Sequence, residues 1–182
     1  MAESLAGQLL VASPALVDAN FARTVVLVGV HTDEGALGVV LNRPSDVQVH
    51  DAVPQLQEAI DGGEPVYVGG PVQPGAVVVL AEFLDPELAG VLVLGRIGFP
   101  AADAEMGDLA AATSRTRVYA GFAGWGEGQL DAEVEHGDWI AQSALPDDVF
   151  TDTPGQLWGA VLRRKGGSYA LVARMPLDPN MN

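Results

Sequence analysis

The sequence predicts one domain of the α+β class, with a mixed β-sheet and a few flanking helices. Strand-like apolar runs dominate the first two thirds of the chain, and the clearest helix-like runs come late. Helices and strands do not alternate regularly, which argues against a doubly wound parallel sheet. The 182 residues are enough for one substantial core, and no Pro-, Gly- or Ser-rich linker divides them. We therefore treat residues 1–182 as a single domain.

Short runs rich in valine, bounded by turn residues, predict the strands of the first half. Residues 24–30 and 36–42 form a predicted hairpin around the turn sequence HTDEG. Arg43-Pro44 is expected to end this hairpin, because proline cannot donate to a strand ladder. A second hairpin is predicted from 75–83 and 89–98, around the sequence LDPEL. The remaining predicted strands of this half are 7–12 and 65–72.

The strongest helix signal covers residues 154–165. Pro154 sits at the first helical position, and Thr153 and Gln156 have the spacing of a capping box. Apolar residues recur on one face, and basic residues stand in the last turn, where they complement the helix dipole. Weaker helix signals cover 49–61, 103–114 and 126–137, and further strands are predicted at 115–123, 138–144 and 168–175, with a tail at 176–182.

Charge and composition exclude several function classes. The chain carries 9 Lys and Arg against 24 Asp and Glu, a net charge of −15. Such a charge repels phosphate backbones and anionic membranes, so we predict no direct binding to nucleic acid or to a membrane. There is no cysteine, which removes disulfides, thiolate metal sites and cysteine nucleophiles. Glu3 stands where a signal peptide would be positively charged, and a cytoplasmic location is predicted.

A glycine-rich segment, Gly124 to Gln129, resembles a phosphate-binding loop but does not fit one. In a G-x-G-x-x-G motif begun at Gly124, the third glycine falls on Gln129; begun at Gly126, it falls on Asp131. The segment has no lysine, and acidic residues surround it. We interpret it as a tight turn that packs Trp125 against the sheet, with Glu127 satisfying the start of the next helix. Gly124 and Gly126 are expected to adopt positive φ or to allow close packing.

Metal, cofactor and nucleophile motifs are not apparent. The three histidines, at positions 31, 50 and 136, have no metal-ligand spacing, and no serine lies in a G-x-S-x-G sequence. We therefore predict no metal and no cofactor.

Several motifs together resemble the AlgH/YqgE family of bacterial proteins. They are GQLLVASPAL, GALGVVLNRP, VGGPV and AGFAGWGEGQLDAEVEHGDW, which follow in order from about residue 7. The resemblance implies an α+β fold whose mixed, bent sheets close into a pseudo-barrel. It implies no established activity, since the family carries only a loose label of transcriptional regulator.

The same motifs define the candidate ligand site. Arg43 would be its anchor, because a guanidinium can hold a carboxylate or phosphate in two parallel hydrogen bonds. The competing interpretation is that Arg43 pairs with Asp46, Asp51 or another local acid. The candidate residues are Asn42, Arg43, Pro44, Gly69, Gly70, Pro71, Gly124, Trp125, Gly126, Gly128 and Gln129.

Two functions stay open at this point. The first is a non-catalytic regulatory or binding protein that acts through an unknown protein partner or a small ligand. The second is an enzyme of unidentified type, possibly a hydrolase, with a pocket near Arg43 and the Gly124–Gln129 loop.

Overall fold

The computed structural model describes residues 3–176, which form one curled ten-stranded sheet with flanking helices. The strands are β1 (Gln8–Ala12), β2 (Val25–Thr32), β3 (Gly35–Val40), β4 (Pro44–Gln48), β5 (Pro65–Val68), β6 (Val72–Phe83), β7 (Ala89–Leu94), β8 (Ile97–Pro100), β9 (Thr113–Trp125) and β10 (Trp139–Ser143). The α-helices are α1 (Val49–Ala52), α2 (Leu109–Ala112), α3 (Gln129–His136), α4 (Pro146–Val149), α5 (Pro154–Lys165) and α6 (Ser168–Val172). Short 3₁₀ turns cover Pro54–Leu56, Pro86–Leu88 and Met106–Asp108.

The main strand order is β10-β1-β2-β3-β9-β6-β8-β7, with antiparallel neighbours throughout. Strands β4 and β5 lie beside this path, and β5 pairs with β9 in parallel, so the sheet is mixed. A Cβ on Gly29 in β2 would lie 2.8 Å from the ring of Phe99 in β8. Because β2 and β8 are not hydrogen-bonded neighbours, this contact shows that the sheet curls into a half-barrel. The predicted α+β fold with bent, mixed sheets is confirmed.

Both faces of the sheet are buried over much of its area. On β1, Leu9 and Val11 belong to the core cluster under α5, and Leu10 and Ala12 belong to a second cluster under α3. Alternate residues point to opposite faces, so a strand covered on both sides is apolar at every position. A third cluster lies under α1 and α2.

The prediction for 154–165 is confirmed as α5, which buries Leu157, Trp158, Val161 and Leu162. The capping box is wrong, because the Thr153 side chain makes no capping hydrogen bond. The Thr153 backbone carbonyl accepts the Gln156 N–H instead, at 2.9 Å. Among the helices of residues 3–176, none is long and apolar enough to cross a bilayer.

Two strand predictions are wrong. Residues 168–172 form helix α6, and Tyr169, Val172 and the following Ala173 pack on the core at helical spacing. Residues 89–98 are not one strand but β7, a turn at Gly95-Arg96 and the start of β8. Strand β6 therefore pairs with β8, at Ala81 opposite Gly98, and the second hairpin is β7–β8. Both predictions failed because a short apolar run shows neither whether its hydrophobic period is that of a helix or of a strand, nor which strand it pairs with.

The helix predicted at 49–61 is reduced to α1 and a 3₁₀ turn, since Pro54 interrupts it. The helix predicted at 103–114 is reduced to a 3₁₀ turn and α2. Pro44 does not merely end a strand: it begins β4, where the first residue needs no N–H for the ladder. The tail predicted at 176–182 lies outside the described residues, except for Pro176.

Candidate functional site

Asn42 and Arg43 bind backbone groups of the loop that precedes β2 and of Val25, the first residue of β2. The Asn42 Oδ1 accepts the Val25 N–H at 3.0 Å, and its Nδ2 donates to the Arg23 carbonyl at 2.9 Å. The Arg43 Nη1 donates to the Asn20 carbonyl at 2.6 Å, and its Nη2 donates to the Ala22 carbonyl at 2.9 Å. Both side chains thus hold the loop in place.

Arg43 is partly buried among backbone carbonyl groups, with Asp18 as a nearby acid. Burial lowers the pKa of Arg43, and the nearby charge of Asp18 opposes that shift. Within residues 3–176, Arg43 forms no ion pair with Asp46 or Asp51. The hydrogen-bond partners of its guanidinium are instead the backbone carbonyl oxygens of Asn20 and Ala22.

Gly69, Gly70 and Pro71 lie where two chain segments cross. The Val40 N–H donates to the Gly69 carbonyl at 2.8 Å, and the Gly69 N–H donates to Ala120 at 2.9 Å. A Cβ on Gly70, whose φ is 153°, would stand 2.2 Å from the backbone of Phe122. The close approach that the glycine pair allows is therefore made by this protein's own backbone.

The Gly124–Gln129 segment is a tight turn that buries Trp125, as interpreted from the sequence. Trp125 is 7% exposed, and its ring meets that of Trp139 edge to face at 6.0 Å. The Gln129 Oε1 accepts the Gly126 N–H at 3.0 Å, and its Nε2 donates to Glu133 at 2.9 Å. Gln129, and not Glu127, caps the turn.

The expectation for the glycines of this turn is wrong in its details. Neither Gly124 nor Gly126 has a positive φ, and a Cβ on either would make no contact closer than 3.6 Å. Gly128 is the residue in the left-handed region, with a φ of 68°, directly before α3.

Asn42 and Arg43 lie at one end of β3, and the Gly124–Gln129 turn lies at the other. Trp125 pairs with Ala36 at the start of this strand, and Asn42 follows its end. Six residues of extended chain span about 20 Å. The structure thus separates Asn42 and Arg43 from the Gly124–Gln129 turn. Gly69, Gly70 and Pro71 lie between them, since the Gly69 carbonyl accepts from Val40 and a Cβ on Gly70 would stand 2.5 Å from the Ala123 nitrogen. Ligand binding by any of these residues stays a prediction.

The histidines also make local contacts. The His31 Nδ1 accepts the Leu5 N–H at 2.9 Å, and the His50 Nε2 lies 2.9 Å from the Ile60 carbonyl. A hydrogen bond that the His136 Nδ1 donates to the Asp138 carboxylate raises the pKa of His136. In the part of the chain that the structure describes, no three His, Asp or Glu side chains are grouped to hold a metal ion.

A model of the AlgH-like family matches residues 9–170. The chain belongs to the AlgH-like family.

Relatives in this family cover nearly the whole chain. A UPF0301 protein of Mycobacteroides abscessus is 42% identical, over 97% of this chain and 88% of its own length. A UPF0301 protein of Streptomyces coelicolor is 44% identical, over 98% of this chain and 96% of its own length. These names assign no activity.

Two solved structures share the fold of this chain. A Corynebacterium diphtheriae protein superposes with a TM-score of 0.85 at 31% identity, covering 94% of this chain and 93% of its own. The AlgH protein from Pseudomonas aeruginosa superposes with a TM-score of 0.71 at 29% identity, covering 97% and 98%.

The AlgH-like fold of this chain also contains cavities that sequence reasoning missed. One, of about 300 Å³, opens between strands β2 and β3 on one side and β7 and β8 on the other. Its walls include Leu37, Val78, Val91, Phe99 and Phe122. We call it the apolar cavity. Strands far apart in sequence form it, so the only local signal was the valine-rich pattern that also marks the core.

Proposed function

We propose that this AlgH-like protein is a non-catalytic binding protein that acts through a small apolar ligand, and that it does not contact DNA itself. The observation that carries the proposal is the apolar cavity. Its regulatory role and cytoplasmic location belong to the same proposal, and rest on the sequence features described above.

The walls of the apolar cavity suit a ligand without hydrogen-bonding groups. All nine lining residues are glycine, valine, leucine or phenylalanine. Several of them are exposed: Leu37 by 46%, Val91 by 48% and Val30 by 38%. Burial of such surface by a ligand is favourable by about 25 cal/mol per Å². A concave apolar site of about 300 Å³ is at the small end of the usual range for ligand pockets.

The polar candidates support a non-catalytic function. Asn42, Arg43 and Gln129 each use their side chains in hydrogen bonds to backbone or to a neighbouring side chain. Groups held in this way serve to fix loops. The apolar cavity, by contrast, offers surface that internal packing leaves uncovered.

A neutral fluorescent probe, Nile red, tests the proposal. We expect saturable binding to the full chain at one probe per protein, weakened at least tenfold in Leu37→Gln. Leu84→Gln is the matched control, because Leu84 is 55% exposed and does not line the apolar cavity. Equal binding by both variants, with unchanged melting curves, would contradict the proposal.

A further inference from the structure

A second cavity, distinct from the apolar one, lies beside helix α5. Its volume is about 520 Å³. Residues from the loop before β2, the turn after β3, α5 and the segment after α6 surround it: Arg23, Asn42, Gly155, Gln156, Trp158, Gly159, Arg163 and Ala173. Two of these carry a positive charge and none carries a carboxylate, in a protein with 24 Asp and Glu. We call it the arginine cavity.

Arg23 is held in a fixed position at this cavity. Its guanidinium carbon lies 4.4 Å from the centre of the Trp158 ring, and its Nη2 donates to the Met175 carbonyl. Trp158 is itself anchored, since its Nε1 donates to the Ala12 carbonyl at 2.9 Å. The backbone of Arg23 has a φ of 55°, and its carbonyl accepts from Asn42. A guanidinium has five N–H donors, so a single bond to Met175 leaves most of them for a ligand.

Arg163 reaches the same cavity from the last turns of α5. Its Nη1 would lie 3.1 Å from a Cβ on Gly159, so the side chain folds back along the helix over a position without a side chain. Within residues 3–176, the Arg163 side chain makes no hydrogen bond and no ion pair. The adjacent Arg164, in contrast, binds Asp148 at 2.8 and 2.9 Å.

From this arrangement we infer that the arginine cavity binds a small molecule that carries an oxyanion group, a phosphate or a carboxylate. Planar guanidinium groups match both oxyanions by paired hydrogen bonds, and a ligand would bring the charge that the cavity walls lack. The volume exceeds that of a free phosphate ion, and the indole of Trp158 gives an apolar surface for the remainder of the ligand. Arg43, expected from sequence to be the anchor, is absent from these walls.

Isothermal titration of the full chain with inorganic phosphate and, separately, with succinate tests the inference. We expect saturable binding of at least one probe at low ionic strength, weakened tenfold or more in Arg163→Ala. Arg23→Lys, which keeps the charge but not the planar fork, should weaken it as well. The two probes distinguish the ligand source: binding of phosphate alone indicates a phosphorylated molecule, and binding of succinate alone a carboxylic acid.

Arg96→Ala is the matched control, because it removes one exposed positive charge in the β7–β8 turn, away from the arginine cavity. The inference is wrong if neither probe binds at concentrations up to about 10 mM. A dissociation constant of about 10 mM corresponds to a binding free energy of about −3 kcal/mol. The inference is also wrong if Arg163→Ala and Arg96→Ala weaken binding equally, since that result would reflect net charge alone. Failure here leaves Nile red binding untouched, because the two cavities share no residue.

Discussion

Trp125 and Trp139 meet edge to face, and both donate their indole N–H to one oxygen atom. That atom is Oε2 of Glu133, at 2.8 Å from Trp125 and 2.9 Å from Trp139. The ring planes are inclined by 76°, an arrangement that aromatic pairs favour. Since Glu133 lies on α3, this shared acceptor fixes the helix against β9 and β10.

Removal of this acceptor should destabilise the protein. Glu133→Ala leaves two largely buried indole N–H groups without a partner, at about 1–3 kcal/mol for each unsatisfied group. We expect a loss of about 2–4 kcal/mol in the free energy of unfolding, measured by urea denaturation with tryptophan fluorescence. Glu135→Ala, on the exposed side of α3, is the control and should change little. Similar curves for both variants would show that the shared acceptor does not stabilise the fold.

Replacement by alanine should destabilise the protein strongly at Gly70 and hardly at all at Gly126. At Gly70 the new Cβ would collide with the Phe122 backbone, and a φ of 153° is unfavourable for alanine. Strain and overpacking together should cost roughly 3 kcal/mol. At Gly126 the nearest contact is 3.8 Å from the new Cβ, so alanine should change stability by less than about 0.5 kcal/mol. Thermal melts of the two variants give the comparison, and a larger loss for Gly126→Ala would contradict it.

The acid dependence of stability should include Glu82. A hydrogen bond from Arg115, at 3.0 Å, lowers the pKa of Glu82 below its ordinary value. A lowered pKa in the folded state stabilises the protein above the unfolded-state value, about 4.3, and this contribution disappears as the pH falls through the folded-state pKa. Both side chains are partly exposed, so we expect about 0.5 kcal/mol.

Urea denaturation of the wild type and Glu82→Gln at several pH values measures this contribution. The difference in unfolding free energy between the wild type and Glu82→Gln should be present near about pH 6, roughly two units above the unfolded-state pKa. It should become smaller as the pH falls. Glu87→Gln, at an exposed turn, is the control. A difference that stays constant through the acid range would contradict the assignment.

Duplex DNA should not bind specifically at physiological salt. The net charge is −15, and two of the three basic residues in the last turn of α5 already have partners within the protein. Arg164 pairs with Asp148, and the Lys165 Nζ donates to the Ala141 carbonyl at 3.0 Å. Gel-shift titrations at about 0.15 M salt measure the affinity. A tight, sequence-dependent shift under these conditions would overturn the expectation.

Local pattern in the sequence determined much of the fold. The strand runs, the amphipathic helix α5 and the tight turn at Trp125 follow from spacing and turn residues that lie close together in the chain. The motifs also identified the AlgH-like family and with it the bent, mixed sheet. Where the signal was short and apolar, as in 168–175, helix and strand could not be told apart, and packing against α5 decided for a helix.

Only the tertiary structure decided which residues share a site. Arg23 and Arg163 lie 140 positions apart in sequence, and they line one cavity because α5 packs on the curled sheet beside the loop before β2. Arg43, adjacent to Asn42 in sequence, is excluded from the same cavity because it bonds to the carbonyls of Asn20 and Ala22. Sequence spacing determines which face of an element a side chain occupies, whereas strand pairing and helix docking, both non-local, determine which faces meet.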